Sequence, residues 1–296
     1  SVSVSTQTVQ SDATLATAVV QSGADLETSA NGPIVVRALS GALLLTEGAG
    51  TDGAVTANGT GNILLESVTS TVTAQAAIGS GTGHITLLAS TGLSLGAGVT
   101  VSTIGSGSVV MRSATSTVAM TSTSAVTTVD GDIELVSGTG TNDVTIGTLT
   151  ASNGDVAVIA TGNISESFAI TEISANSVIL EAGSTIGYYD AVTPSNANSL
   201  ELSVASAAMS AAGAGVFVSN AGDLNLGAVS TSAQLVGMDG QAAASNRSAS
   251  GVSTAILSLS VEGALTTDTG TTAVIDASGN VRIETTESAE GTATDA

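Results

Sequence analysis

The sequence contains no cysteine, no lysine and no tryptophan, and its 296 residues include only two prolines, two tyrosines, two phenylalanines and one histidine. Without cysteine there is no disulfide staple and no thiolate chemistry. Aromatic residues make up 1% of the chain, whereas a thick globular interior is normally filled with them. A core must therefore be thin and built from Val, Ile, Leu and Ala, which points to a quasi-one-dimensional architecture. Four arginines stand against 25 acidic residues, for a net charge of −21. That balance offers no cationic surface to nucleic acid or to an anionic membrane. No uninterrupted apolar run is long enough for a membrane helix, and the aromatic girdles of a membrane barrel are missing, so membrane insertion is not expected. The chain opens at Ser1 with no signal peptide, and is expected to be a processed or excised part of a longer product.

What is present is regular. Hydrophobic residues reach 42% and mean hydropathy is +0.44, too apolar for general disorder. Val and Thr favour strands; Gly, Asn, Asp and Ser favour the turns between them. A small or polar pair precedes an aliphatic alternation again and again, as in Gly32-Pro33-Ile34, Gly61-Asn62-Ile63, Gly83-His84-Ile85 and Gly107-Ser108-Val109. The anchors from Ile63 through Ile85, Val109, Ile133, Val156, Val178 and Leu200 to Leu224 are 22, 24, 24, 23, 22, 22 and 24 residues apart. Within the repeat that starts at Ile85, the pairs Ile85/Leu87, Leu93/Leu95 and Val99/Val101 alternate between turn residues. Three short strands and three turns in 22–24 residues describe one triangular coil of an all-β parallel β-helix, with coils stacking at roughly 4.8 Å.

The expected organisation is a single β-solenoid over 1–296, of about twelve coils. Residues 1–30 form an irregular opening coil, residues 237–251 a loop projecting from the rod, and residues 285–296 a frayed acidic tail or truncation. The recurring phrase in Gly131-Asp132-Ile133-Glu134-Leu135 and Gly154-Asp155-Val156-Ala157-Val158 resembles the filamentous-haemagglutinin-like exoproteins and the giant bacterial proteins built of β-strand repeats. That resemblance implies secreted, fibrous and often adhesive right-handed β-helices. No secretion domain or catalytic toxin domain of that family is matched.

Chemistry is sparse. Sugar-cleaving β-helices need a clustered acid and base, or a carboxylate beside a cation. Asp130 with Asp132 is one glycosidase-like carboxylate pair, but sugar-stacking aromatics are missing, and no catalysis is expected. His84 occupies a turn position and has no second imidazole for a metal site. In the same turn register Asp132 and Asp155 fall on neighbouring coils, where they either stay solvated or share a calcium ion. No other cofactor is indicated. Phe168, Tyr188 and Tyr189 fall at one corner on adjacent coils, as a contact patch for a partner or glycan or as a local core plug. Arg37 and Glu66, each three residues after its anchor, are placed to pair across coils. Thr115-Ser116-Thr117 and Thr121-Ser122-Thr123 look like ice-binding arrays but do not recur at the period. The sequons at Asn58, Asn163 and Asn246 are of a kind that arises by chance in a Ser/Thr-rich chain. The function expected is an extracellular structural or adhesive rod, associating end to end into fibres or contacting a cell-surface or glycan partner. A calcium-dependent surface-layer or binding module is the alternative.

Overall fold

The computed structural model describes residues 5–9, 15–19, 26–47, 53–167, 171–188, 199–268, 274–287 and 289–290. Among them there is no helix; the chain is an all-β parallel solenoid with three strand columns. The first column stacks the strands containing Ile34, Ile63, Ile85, Val109, Ile133, Val156, Val178, Ala207, Val252 and Ile275. The second runs through Leu43, Val72, Leu93, Val118, Val144, Ile164, Ile186, Val216, Leu257 and Val281. The third begins Leu26, Val55, Ile78, Val101, Val126, Leu149 and Ile173. Ten levels at the strand spacing give a rod of about 43 Å.

Alternation puts every second side chain inward. Ile63, Ile85, Val109, Ile133, Val156 and Val178 therefore form one buried file inside a single continuous core. Buried hydroxyls at the corners turn back onto the chain. Ser80 Oγ donates to the Gly61 carbonyl at 2.7 Å, Thr103 Oγ1 to that of Gly107 and Thr128 Oγ1 to that of Gly131, both at 2.5 Å, so these three are satisfied in the dry interior. The repeated glycine has its own cause. A Cβ on Gly83, Gly107, Gly131 or Gly154 would run into the carbonyl oxygen of the equivalent glycine one coil below. The coils can close to hydrogen-bonding distance there only if that column has no side chain.

The expected register holds from Ile34 to Val178 and then breaks. Leu200 pairs with Val218 and Leu224 with Leu265, so neither continues the first column, and Val281 belongs to the second. Two lengthenings account for this: thirteen residues separate Ile186 from Leu200, and residues 228–250 interrupt one first-column rung, between Leu226, which pairs with Ala207, and Val252, which pairs with Met209. Small-pair-plus-aliphatic phrases occur at every corner of the triangle, so the spacing survives although the column changes.

Residues 228–250 do not project. Ala228–Val236 and Ala242–Ser250 pair as an antiparallel hairpin, turned by Gly237 to Gln241 with Gly240 at φ +75°. The hairpin lies flat along the rod, across the first column, and runs back towards the N-terminal coils. Of the opening segment, Ser5–Val9 and Leu15–Val19 form an antiparallel pair, while Leu26–Thr28 already joins the third column. In the tail, Ala289–Glu290 pairs with Leu265 and Thr266, so that stretch is part of the ladder, not frayed.

Candidate functional site

The hairpin covers one outward position on each of seven consecutive levels of the first column. Leu64, Thr86, Val110, Glu134, Ala157, Ile179 and Ala208 are all buried although they point away from the core. Ala157, Ile179 and Ala208 make a second small apolar cluster with Val229, joined at its margin by Ile159 and Ala249. Further along, Val236 N donates to Thr86 Oγ1 at 2.8 Å, and Ser232 N to Asp132 Oδ2 at 2.6 Å. At the tip, Asn62 Nδ2 donates to the Gly240 carbonyl at 2.9 Å.

Midway along the hairpin sits a charged clasp. The Glu134 side chain is 0% exposed. It accepts from Arg112 Nε at 2.8 Å, from Ser245 Oγ at 2.7 Å and from Arg247 at 3.4 Å, while Arg112 Nη2 also donates to Ser245 Oγ at 2.6 Å. Both carboxylate oxygens are thus occupied, which is the condition for holding an ion in a dry interface. The clasp joins a coil residue to hairpin residues more than a hundred positions later. The Arg37–Glu66 pair expected across coils is also formed, in register, and Arg282 pairs with Glu284 on the surface.

The turn register forms a ladder of side chains on backbone donors. Asn62 Oδ1 accepts from His84 N at 2.9 Å, and His84 Nδ1 accepts from Ser108 N at 3.0 Å. Burial lowers the His84 pKa from its usual value, as an acceptor nitrogen requires. An unfolded chain takes up that proton first, so this bond's contribution is present at neutral pH and is lost as pH falls below about 6.5. Asp132 Oδ1 accepts from Asp155 N at 2.9 Å, and Asp155 Oδ1 accepts from Ser177 Oγ at 2.6 Å and Asn176 Nδ2 at 3.3 Å. These two aspartates follow one another along the ladder and are already engaged by N–H and O–H donors. Asp130 turns to Asn153, whose Nδ2 donates at 2.7 Å, so Asp130 and Asp132 serve different partners.

A third grouping was not anticipated. Glu166 at the end of Ile164–Glu166, Glu172 just before Ile173, and Glu201 in Leu200–Ser203 bring carboxylate oxygens within 4.8 Å of one another. Glu172 is fully buried. Glu201 N donates to Glu172 Oε2 at 2.9 Å, and Ser199 Oγ to Glu201 Oε1 at 3.0 Å. Burial, followed by hydrogen bonding to Glu201 and the charges of Glu201 and Glu172, pushes the Glu166 pKa up to about 8. At neutral pH Glu166 therefore holds a proton, which relieves the repulsion among three adjacent acids. A small cleft beside it is lined by Ser165, Glu166, Gly187 and Tyr188. Tyr188 is 64% exposed; Phe168 and Tyr189, its expected partners in a contact patch, lie outside the described residues.

The clasp and the acid cluster gave little sequence signal, because each joins residues from separate levels. Glu134 does depart from its column, where its register neighbours are Val110 and Ala157. No protein family, curated protein or solved structure matches this chain.

Proposed function

We propose that this chain is a segment of an extracellular structural or adhesive rod whose work is mechanical. The observation that carries this reading is the hairpin, strapped lengthwise over seven consecutive outward positions from Leu64 to Ala208. A strand ladder resists bending across its hydrogen bonds, and a strap at right angles to the strands ties the coils to each other as well. The strongly acidic surface suits a medium rich in cations, and the strand-repeat phrasing agrees with the fibrous exoproteins it resembles. The coil that includes Leu26, Val35, Leu39 and Leu44 exposes all four, and apolar surface of this kind supports association with another copy end to end.

Pulling single molecules along the rod axis tests the reading. A load-bearing rod gives a high-force event that is lowered when Glu134→Ala loosens the strap. Electron microscopy of the native source should show rods or fibres. Unfolding at low force that is indifferent to the substitution, or isolated compact particles at the source, would sink it.

A further inference from the structure

The hairpin has one open edge. Gly237 N donates to the Gln241 carbonyl, so odd-numbered residues face each other across the hairpin. Even-numbered Ser232 and Val236 send their N–H groups outward, to Asp132 and Thr86. By the same alternation, Ala244, Asn246 and Ser248 turn their main-chain N–H and C=O groups to the other edge. None of these groups has a hydrogen-bond partner among the described residues.

A groove of about 590 Å³ on the rod is floored by Leu88, Arg112, Val136 and Ile159 and bounded by turn residues such as Ser90 and Gly138. Arg112 and Ile159 place the groove beside the hairpin, since Arg112 bonds Ser245 and Ile159 packs in the cluster that includes Ala249. The floor runs over five levels from Glu66 to Ile159, about 19 Å, which is the length of about six extended residues. Natural edge strands are usually blunted by lysine, proline, a bulge or an inward charge. Ala242–Ser250 has no lysine, proline or bulge, and its single charge, Arg247, is spent on Glu134.

We propose that this edge and groove take one extended segment of a partner polypeptide, added antiparallel or parallel as a third strand on the hairpin. Its chemistry follows from the site. Apolar side chains at alternate positions meet Leu88, Val136 and Ile159, and polar ones face water. The segment carries no acidic residue and is flanked by basic ones, because it docks on a chain of net charge −21. The same charge disfavours a second copy of this chain as occupant. The proposal does not depend on the rod being load-bearing.

The test uses the full chain and a dye-labelled nonapeptide of alternating valine and threonine with a lysine at each end. Saturable binding by fluorescence anisotropy is expected, together with at least tenfold slower amide exchange at Ala244, Asn246 and Ser248. Ser248→Pro removes one open N–H, and Val136→Glu puts a charge on the floor; each should weaken binding at least tenfold. If the proline disturbs the hairpin, Val136→Glu on the rod carries the result alone. The proposal is overturned by no saturable binding at millimolar peptide, by binding that ignores Val136→Glu, or by dimerisation of the chain through this same edge.

Discussion

The outward-facing residues of the first column that lie beneath the hairpin and those of the other two columns occupy equivalent backbone positions and have opposite fates. In the second column they are Thr73, Ser94, Ala119, Thr145 and Ser165; in the third, Gly79, Ser102, Thr127, Thr150 and Ser174. All of these stay partly in water. In the first column, Leu64, Val110 and Ile179 are fully buried. A solenoid wall needs only its inward file to be apolar, so apolar residues on both faces mark a wall that something else covers. Here the cover is the chain itself.

Three substitutions probe that contrast. Ile179→Asp places an unpaired charge beneath the hairpin and should cost about 4 kcal/mol, while Thr145→Asp on the bare second column stays within about 0.5 kcal/mol. Paired denaturation curves measure both, and equal losses would erase the distinction between the walls. Glu134→Ala leaves Arg112 and Arg247 facing each other with no anion, for a loss of about 3 kcal/mol. Limited proteolysis should then cut within 228–250 before the coils are touched.

Away from the hairpin, Glu166→Gln should stabilise the fold, and by a pH-dependent amount. The folded protein keeps the Glu166 proton up to about pH 8, whereas the unfolded chain releases it near 4.5. Native stability therefore falls as pH rises through that window and levels off above it. Glutamine removes this dependence and gains on the order of 1 kcal/mol at pH 8, given partial solvent screening of the site, and nothing at pH 4. A flat difference between the two pH values would show that the proton is not held there. Smallest is Arg282→Ala. Its pair with Glu284 is about half exposed on both sides and should be worth less than about 0.5 kcal/mol, so a loss approaching that of Glu134→Ala would mean that exposed pairs matter as much as the clasp.

The coil, its three strands and the Arg37–Glu66 pairing were legible because they depend on neighbours one period away. Steric demand on the glycine column repeats at that same period. The hairpin was only half legible: an excursion at 237–251 was expected, but spacing alone does not tell a projecting loop from the strand pair Ala228 to Ser250 laid along the rod. Two signals did mark it. Asp239-Gly240 is a hairpin turn pair, and the runs Ile63-Leu64-Leu65, Val109-Val110-Met111 and Val178-Ile179-Leu180 are apolar on both faces. Reading those runs as plain alternation conceals the covered wall. The acid cluster had no comparable signal, since Glu166, Glu172 and Glu201 come from three irregularly spaced segments joined only by the stacking of coils.

The bond from Val236 to Thr86 spans 150 residues, and that separation has a consequence for how the molecule is made. Coils can close one after another as the chain leaves the ribosome, each on the template below. The hairpin is synthesised after the coils it must touch and finds its seat only when all of them are stacked in register. A slipped coil would displace Asp132, Glu134 or Thr86 from their partners and leave the strand pair undocked. Closure is in this sense an inspection step: the last segment to settle checks those laid down before it.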